Sequence, residues 1–513
     1  MVSSLHLADI LALSAAGFIT FHLSSRKPPL SRPPGPPGYP VIGNLFDIPK
    51  ELPWIQFAKW AKEYGDVISL SVFGQTIVIL NSHYAVKDVV LTRPLNFAGR
   101  PSIKFAEMRA PLPIRFTTVG REWRERRRII DAYFRPAAIQ PYKGVQIEKV
   151  VKLLRRIIDK PDDISDHTRE YSGALIMDIV YGYDVKNRGD YFVRINEEFQ
   201  SFASRTVLPN GPIVNAIPIL GRLPPWMLGK EFAALLEKGT RLWKQVLHEP
   251  FEWTKNSIKT GTAKESLIRT SLSEISEGDT EGETVLEDAF GNIFAEDMVP
   301  DRPNLLQVTA TLRAFILHMV LNPAVQVEAQ KELDRVVGRE RVPDFDDRPN
   351  LPYVDAVLME VLRWAPTTPL GVPHSAEEDV NLERFRIPKG SIVLGNAWAI
   401  LHDQTYYPEP DAFKPERHLG TDGHVLEDPI LDYAFGYGTR RCPGRHFADA
   451  TLWLYVASVL AFFNIRKAKD ENGNEIPVDG KYEPTNLIHQ PLPFSCTLVP
   501  RDRNILERVF QKD

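Results

Sequence analysis

Phe435-Gly436-Tyr437-Gly438-Thr439-Arg440-Arg441-Cys442-Pro443-Gly444 sets one of only two cysteines on a glycine-rich loop that leads into a long apolar run. Gly436, Gly438 and Gly444 permit tight backbone conformations close to a flat ligand, and Pro443, which lacks an N–H, suits the first turn of a helix. The run from His446 to Phe463 predicts that helix, so Cys442 sits near its N-terminus. There the partial positive charge of the helix end, with Arg440 and Arg441 alongside, favours the thiolate over the thiol. A lone cysteine is more often a small buried residue without chemistry, so the loop around it carries the argument.

The same stretch resembles the haem-binding signature of the cytochrome P450 family, Phe-x-x-Gly-x-Arg-x-Cys-x-Gly, at every fixed position. The resemblance implies heme b (iron protoporphyrin IX) as cofactor, Cys442 as axial ligand of its iron, and Arg440 paired with a propionate. Phe435, Gly436 and Gly444 complete the cofactor-binding loop. It also implies a mainly α fold with small β-sheets, the haem lying between a central long helix and the cysteine loop with its helix.

Three further motifs agree with it. Glu360 and Arg363 are three apart on a predicted helix from Tyr353 to Trp364; an isolated pair of this kind is usually a solvated contact worth about 0.2 to 0.5 kcal/mol. Here Glu360-Val361-Leu362-Arg363 resembles the family's Glu-x-x-Arg, and Phe413-Lys414-Pro415-Glu416-Arg417 resembles the motif that supplies a third member. The resemblance makes Glu360, Arg363 and Arg417 a structural charge network behind the cysteine loop. Trp123 and Arg127, four apart in a basic helix with Arg121, Arg124, Arg126 and Arg128, resemble the family's propionate-binding pair. The remaining arginines are either a solvated face or a docking face for an acidic reductase. His374, in Gly371-Val372-Pro373-His374, occupies the place of another propionate contact or is a structural histidine.

The segment Thr367 to Val372 resembles a loop that lines the family's substrate pocket, where apolar Leu370 and Val372 favour a lipophilic substrate. Weaker pocket candidates are the loop from Phe97 to Phe116 and the turn from Ile488 to Leu492. Core packing is the alternative for all of them.

At 513 residues, 43 % hydrophobic and 25 % charged, the chain has enough apolar surface for a large core. Its net charge of -4 gives no reason to expect nucleic acid. Two cysteines make a disulfide framework unexpected and suit a reducing, cytosol-facing environment. Leu5 to Leu23 is largely apolar, interrupted by His6 and Asp9, and Arg26-Lys27 follows it, an arrangement that favours an uncleaved anchor with its C-terminal side in the cytosol. A cleaved secretory peptide ending near Ser14-Ala15-Ala16-Gly17 is the alternative. Arg32 to Pro40 is too rich in proline for a helix and reads as a stiff spacer. The expected division is an anchor over 1–25, a basic, proline-rich hinge over 26–45 and a haem-thiolate catalytic domain over 46–513, held at the endoplasmic reticulum membrane.

Beyond the hinge, Val67 to Leu80 alternates like a strand pair broken at Gly74. Helical spacing of apolar residues predicts helices over Arg121–Phe134, Ile147–Ile158, Glu231–Lys255, Val308–Leu321, Pro323–Val337 and Tyr353–Trp364. Thr260 to Glu287 reads as a polar surface loop with some helix.

The resemblance fails in one place. The family's oxygen-activating helix carries Ala/Gly-Gly-x-Asp/Glu-Thr-Thr, whose acid and alcohol help deliver protons to bound dioxygen. Here Glu296-Asp297-Met298-Val299-Pro300-Asp301-Arg302-Pro303-Asn304-Leu305-Leu306-Gln307 stands in its place, and Pro300 and Pro303 would interrupt a helix. Thr309 and Thr311 are nearby alcohols, but neither follows an acidic residue. The segment is either a genuine divergence that impairs coupling or an error at an exon junction, and sequencing the transcript decides between them.

The overall pattern, including Trp398 to Asp403, resembles fungal microsomal members of secondary metabolism. It implies a monooxygenase that inserts one oxygen atom into a lipophilic small molecule, with electrons from NADPH through a cytochrome P450 reductase and with cytochrome b5 as a further partner. The alternative is a catalytically impaired haem-binding protein or uncoupled oxidase. A membrane-tethered hydrolase is disfavoured because no Gly-x-Ser-x-Gly turn accompanies a triad.

Overall fold

The computed structural model describes residues 31–109, 119–186, 189–207, 212–276, 278–296, 307–484 and 488–510. The apolar run Leu5–Leu23, the chain between Glu296 and Gln307, and the end of the Phe97–Phe116 loop lie outside those residues. The long helices are α1 (Pro53–Tyr64), α2 (Arg121–Phe134), α3 (Lys143–Asp159), α4 (Ile164–Tyr181), α5 (Tyr191–Val207), α6 (Lys230–Lys259), α7 (Thr280–Glu296), α8 (Gln307–Leu321), α9 (Pro323–Val336), α10 (Pro352–Trp364) and α11 (Arg445–Phe462). Small strands accompany them: β1 (Val67–Val72), β2 (Gln75–Leu80), β3 (His374–Ser375), β4 (Val380–Asn381), β5 (Arg386–Ile387), β6 (Ile392–Gly395), β7 (Phe463–Lys467) and β8 (Cys496–Pro500). The expectation of a mainly α fold with small sheets is met.

Burial separates the helices by their sequence. α8 and α11 are apolar around most of their circumference and are buried on nearly every side, as core helices must be. In α2 the arginine-rich sequence leaves one narrow buried stripe, Arg126, Ile130 and Phe134, at four-residue spacing. α10 buries Val354, Val357, Leu358, Val361 and Leu362 in the same core as α8, α9 and α11. A second core lies among α4, α5, α6 and α7.

The sheets connect distant parts of the chain. Phe73 and Gly74 both take positive φ, 46° and 82°, and so close β1 and β2 into a two-residue hairpin with Val72 opposite Gln75. β2 then pairs in parallel with β6, Ile77 opposite Ile392, and β6 pairs antiparallel with β3. β6 therefore carries β3, and with it His374, to a fixed height above the N-terminal hairpin. From Ser31 onward the proline-rich stretch does not stand free as a spacer. The carbonyls of Pro33 and Pro34 accept from the Ser69 hydroxyl and N–H at 2.5 and 2.8 Å, and Ser31 accepts from Arg386 N–H.

The loop with some helix expected over Thr260 to Glu287 is observed. α1, α4 and α5 go beyond the sequence reading; in α4 burial on almost every side removes the amphipathic period that marks a helix. Thr260 to Glu287 contains the helix Leu267–Glu274 and the first two turns of α7. Among the described residues no single helix is long and apolar enough to cross a membrane.

The core also encloses neutral histidines. His318 stacks on Phe413 at 4.4 Å and His489 lies 4.1 Å from the Tyr482 ring. Burial pushes both imidazoles down to about 3. The unfolded chain takes up these protons below about 6.5 while the native state does not, so stability falls as pH drops from 6.5 towards 3. Urea midpoints at a series of pH values test this; a His318→Gln/His489→Gln protein should have the flatter profile, and an unchanged slope would contradict the assignment.

Candidate haem site

The cysteine loop is built by two backbone reversals. A short turn over Leu431–Phe435 ends at Gly436, whose φ of 84° is open to glycine and strained for other residues. The chain reverses again at Gly438, φ 63°, and Cys442 N–H closes the loop by donating to the Phe435 carbonyl at 2.9 Å. Gly444 caps α11, which begins at Arg445, so Pro443 stands just outside the helix rather than in its first turn. A Cβ placed on Gly444 would meet no heavy atom within 4 Å, leaving open space beside the cysteine. Arg441 turns away to Asp432 at 3.0 Å, and its carbonyl accepts from Arg127. The other cysteine, Cys496, is buried and its thiol is pushed up to about 12 by that burial, which leaves it unreactive.

The basic side chains expected from the sequence do converge on this loop. Trp123 and Arg127 share a face of α2; Arg127 Nη1 donates to the Arg441 carbonyl at 3.0 Å, and its Nε donates to Asp131 at 2.8 Å. The Arg440 guanidinium lies 4.5 Å over the Trp123 ring and donates through Nε to the Ala98 carbonyl. Arg126 does not join them: it is buried against α7, donating to Asp288 at 2.6 Å, and so leaves the basic face suggested by the sequence.

Arg100 was not singled out, because an arginine in a loop carries no periodic signal. It is 7 % exposed and donates to the carbonyls of Val372 and Pro373 at 3.0 and 2.8 Å. His374 lies beside it, stacked on Tyr437 at 5.1 Å, with Nδ1 2.6 Å from the Phe97 carbonyl. Burial, then the charges of Arg100 and Arg440, push His374 down to about 3, so it is neutral. The Phe97 carbonyl only accepts, so Nδ1 carries the proton and Nε2 is bare. His374 therefore meets a carboxylate through Nε2 only by taking a second proton.

A cysteine on an open loop, with the guanidinium groups of Arg100, Arg127 and Arg440 drawn in from three segments, fits a flat, metal-centred group that carries carboxylates. Tyr437 fixes the loop's depth. A Cβ on Gly395 of β6 would come within 2.5 Å of the Tyr437 ring. Gly395→Ala is expected to cost about 1 to 3 kcal/mol, as overpacking does, and to lower haem content; thermal melting and pigment absorbance check both.

Glu360 and Arg363, readable from sequence alone as a surface pair, are both 0 % exposed. Arg363 makes a two-pronged contact with Glu360 at 2.8 and 2.9 Å and donates to the carbonyls of Leu401 and Pro410. Arg417 Nε reaches Glu360 at 3.2 Å, Lys414 N–H donates to it at 2.8 Å, and His418, which the motif did not include, lies 3.0 Å away. Burial alone would raise Glu360, but the hydrogen bonds from His418 and Arg363 outweigh it and hold the carboxyl at about 2.

On the other side, Thr309 and Thr311 are both buried in the first turns of α8. Thr309 donates to the Ser172 hydroxyl at 3.3 Å, while Thr311 donates to the Gln307 carbonyl and pairs with Thr367 at 3.0 Å. The structure thus joins an alcohol weighed for proton delivery to a residue weighed for the pocket wall. Leu370 instead packs against Phe57, Ile68, Leu70 and Ile79 near the hairpin. Val372 lends its carbonyl to Arg100. The turn Ile488–Leu492 is one arm of a hairpin whose Gln490 and Pro491 accept from buried Arg313 at 3.2 and 3.1 Å. At the end of α7, Asn196 and Gln200 of α5 donate to the carbonyls of Phe294 and Ala295, which occupies the last helical carbonyls.

Comparison with known proteins identifies the family. A family model for cytochrome P450 matches residues 33–479. A cytochrome P450 monooxygenase of Armillaria gallica is 34 % identical over 94 % of this chain and 94 % of its own length. A monooxygenase of Rhodocybe pseudopiperita, ple1, is 35 % identical over 97 % of this chain and 95 % of its own. A tryptamine 4-monooxygenase of Psilocybe cyanescens is 34 % identical over 98 % of this chain and 99 % of its own. The chain belongs to the cytochrome P450 family of monooxygenases, and the family implies a haem-thiolate cofactor.

Proposed function

We propose that this chain is a membrane-anchored haem-thiolate monooxygenase that places one oxygen atom from O2 into a lipophilic small molecule of fungal secondary metabolism. The observation that carries the reading is the open glycine loop around Cys442, set beside Arg100, Arg127 and Arg440. When bound, haem with a thiolate ligand supplies dioxygen activation and oxygen-atom transfer. The chain's part is to present the sulfur from a loop held by the Cys442 N–H to Phe435 bond and to neutralise the propionates with guanidinium groups. The buried Glu360 network holds the segments behind that loop. Electrons come from NADPH through a cytochrome P450 reductase, with cytochrome b5 as a second donor. The exposed arginines of α2, beside a depression lined by Trp123, Arg124, Arg128 and Arg135, suit an acidic partner.

A second reading rests on one specific observation. The acid and alcohol that the family resemblance leads one to expect for proton delivery are not found in the sequence between Glu296 and Gln307, and the hydroxyls of Thr309 and Thr311 are engaged with protein partners. That favours a haem protein which consumes NADPH and releases peroxide. Product formed per NADPH consumed, measured with peroxide release, separates the two readings: tight coupling supports the monooxygenase, and peroxide without product supports the impaired oxidase. Absence of a thiolate-type spectrum in the reduced, carbon-monoxide-bound protein would sink both.

A further inference from the structure

A file of aromatic rings runs from the cysteine loop to the surface. Tyr437, inside the loop, stacks on His374 and has its ring 5.9 Å from that of Tyr433. Tyr433 is 5.7 Å from the His83 ring, and His83 is 5.6 Å from Tyr84 and 6.0 Å from Tyr406. Tyr437 and Tyr433 are buried, whereas Tyr84 is 67 % exposed. The file is thus dry at its inner end and wet at its outer end.

One contact in it is a proton acceptor. A buried phenol loses an electron readily only if its proton has somewhere to go, because the protonated radical cation is strongly acidic. The Tyr433 hydroxyl lies 3.0 Å from Nδ1 of His83, within the reach that proton transfer requires. Burial, then the charge of Lys87, lower His83, which favours the neutral ring, and in the tautomer with its proton on Nε2 the Nδ1 atom accepts from the Tyr433 hydroxyl. Electron tunnelling weakens steeply with the gap between rings; Tyr437 and Tyr433 are neighbours at 5.9 Å between centroids, and the His83 ring bridges Tyr433 and Tyr84.

We propose that Tyr437, Tyr433, His83 and Tyr84 form a redox relay that carries oxidising equivalents from the haem pocket to the surface. The proposal rests on the haem reading above. An electron passes from Tyr433, across the Tyr437 ring, to the oxidant in the haem pocket while the Tyr433 proton moves to His83; Tyr84 then refills Tyr433 across the His83 ring, the proton returns from His83, and Tyr84 releases its own proton to water. With a peroxide as oxidant, one hydrogen peroxide becomes two waters by taking up two electrons through the relay and two protons from water, the net equivalent of one electron and one proton from each of two Tyr84 phenols. Two Tyr84 radicals on separate molecules then couple through a carbon–carbon bond to dityrosine. Such an outlet suits a chain whose oxygen chemistry is loosely coupled.

The test treats the full-length, haem-loaded protein with hydrogen peroxide. Freeze-quenched samples go to electron paramagnetic resonance with ring-deuterated tyrosine, and digests are read by mass spectrometry for dityrosine at Tyr84. The expected result is a tyrosyl signal that narrows on deuteration and a Tyr84 cross-link lost in both Tyr84→Phe and Tyr433→Phe. Because Tyr433 is buried, His83→Gln provides a second variant and should also lower the Tyr84 product. Undiminished cross-linking in haem-loaded Tyr433→Phe and His83→Gln, or no Tyr84 product in wild type, overturns the relay alone. A preparation with no haem spectrum overturns the cofactor reading and the relay together.

Discussion

Cys442→Ser is expected to fold and yet to lose the thiolate-type absorption of the reduced, carbon-monoxide-bound state, together with all oxygen-atom transfer. The loop is held by the Cys442 backbone N–H, which serine retains, and by Gly436 and Gly438, which the substitution leaves alone. The change therefore falls on the donor atom. A serine hydroxyl ionises far less readily than a thiol and offers a hard oxygen in place of a soft sulfur, so the electron donation that thiolate ligation provides is removed. Circular dichroism and melting should stay near wild type while the spectrum changes. A retained thiolate-type band would mean that another residue binds the iron. Buried Cys496, whose thiol is pushed up to about 12, is poorly suited to take its place.

Glu360→Gln is expected to be the most destabilising single change in the charge network. Removing one member of a buried ion pair leaves the others uncompensated, at about 3 to 5 kcal/mol. Here Arg363 is wholly buried and the Arg417 side chain nearly so. Arg363→Gln should cost a comparable amount, and the double variant less than the sum, because it leaves no orphaned charge between them. The pH dependence has a definite sign. Glu360 is held at about 2, below its unfolded value of 4.5, so its contribution is complete above 4.5 and is lost as pH falls towards 2. Below pH 4.5 the difference between wild type and Glu360→Gln should therefore narrow. Denaturant midpoints and haem loss on acidification measure it, and a gap that stays constant down to pH 2 would rule out the carboxylate as its source.

Much of the haem site was legible because it is written in local motifs. The glycines, arginines and cysteine of the loop lie within ten residues, and Trp123 with Arg127 or Glu360 with Arg363 lie within one helical turn. For such neighbours, backbone geometry nearly fixes relative position. Less legible were residues whose roles depend on distant chain. Arg100 joins the arginine cluster only because β3 brings Val372 and Pro373 to it, and His418 joins Glu360 only through the fold of the segment after Arg417. Arg126 looks like its exposed neighbours in sequence, and it turned inward because α7 presents Asp288 on that side. The proposed relay from Tyr437 to Tyr84 has no sequence signature, since its rings come from two segments about 350 residues apart that only the fold brings together.

The sequence by itself determined the family and marked the cysteine loop and the charge pair as candidates, each through residues close together along the chain. Only the tertiary structure decided which charges are buried. It turned the Glu360–Arg363 pair from a contact worth tenths of a kilocalorie in water into a network on which the core depends. Burial is a property of what the remaining chain packs against a residue, and the cost of stranding a charge there follows from the loss of water.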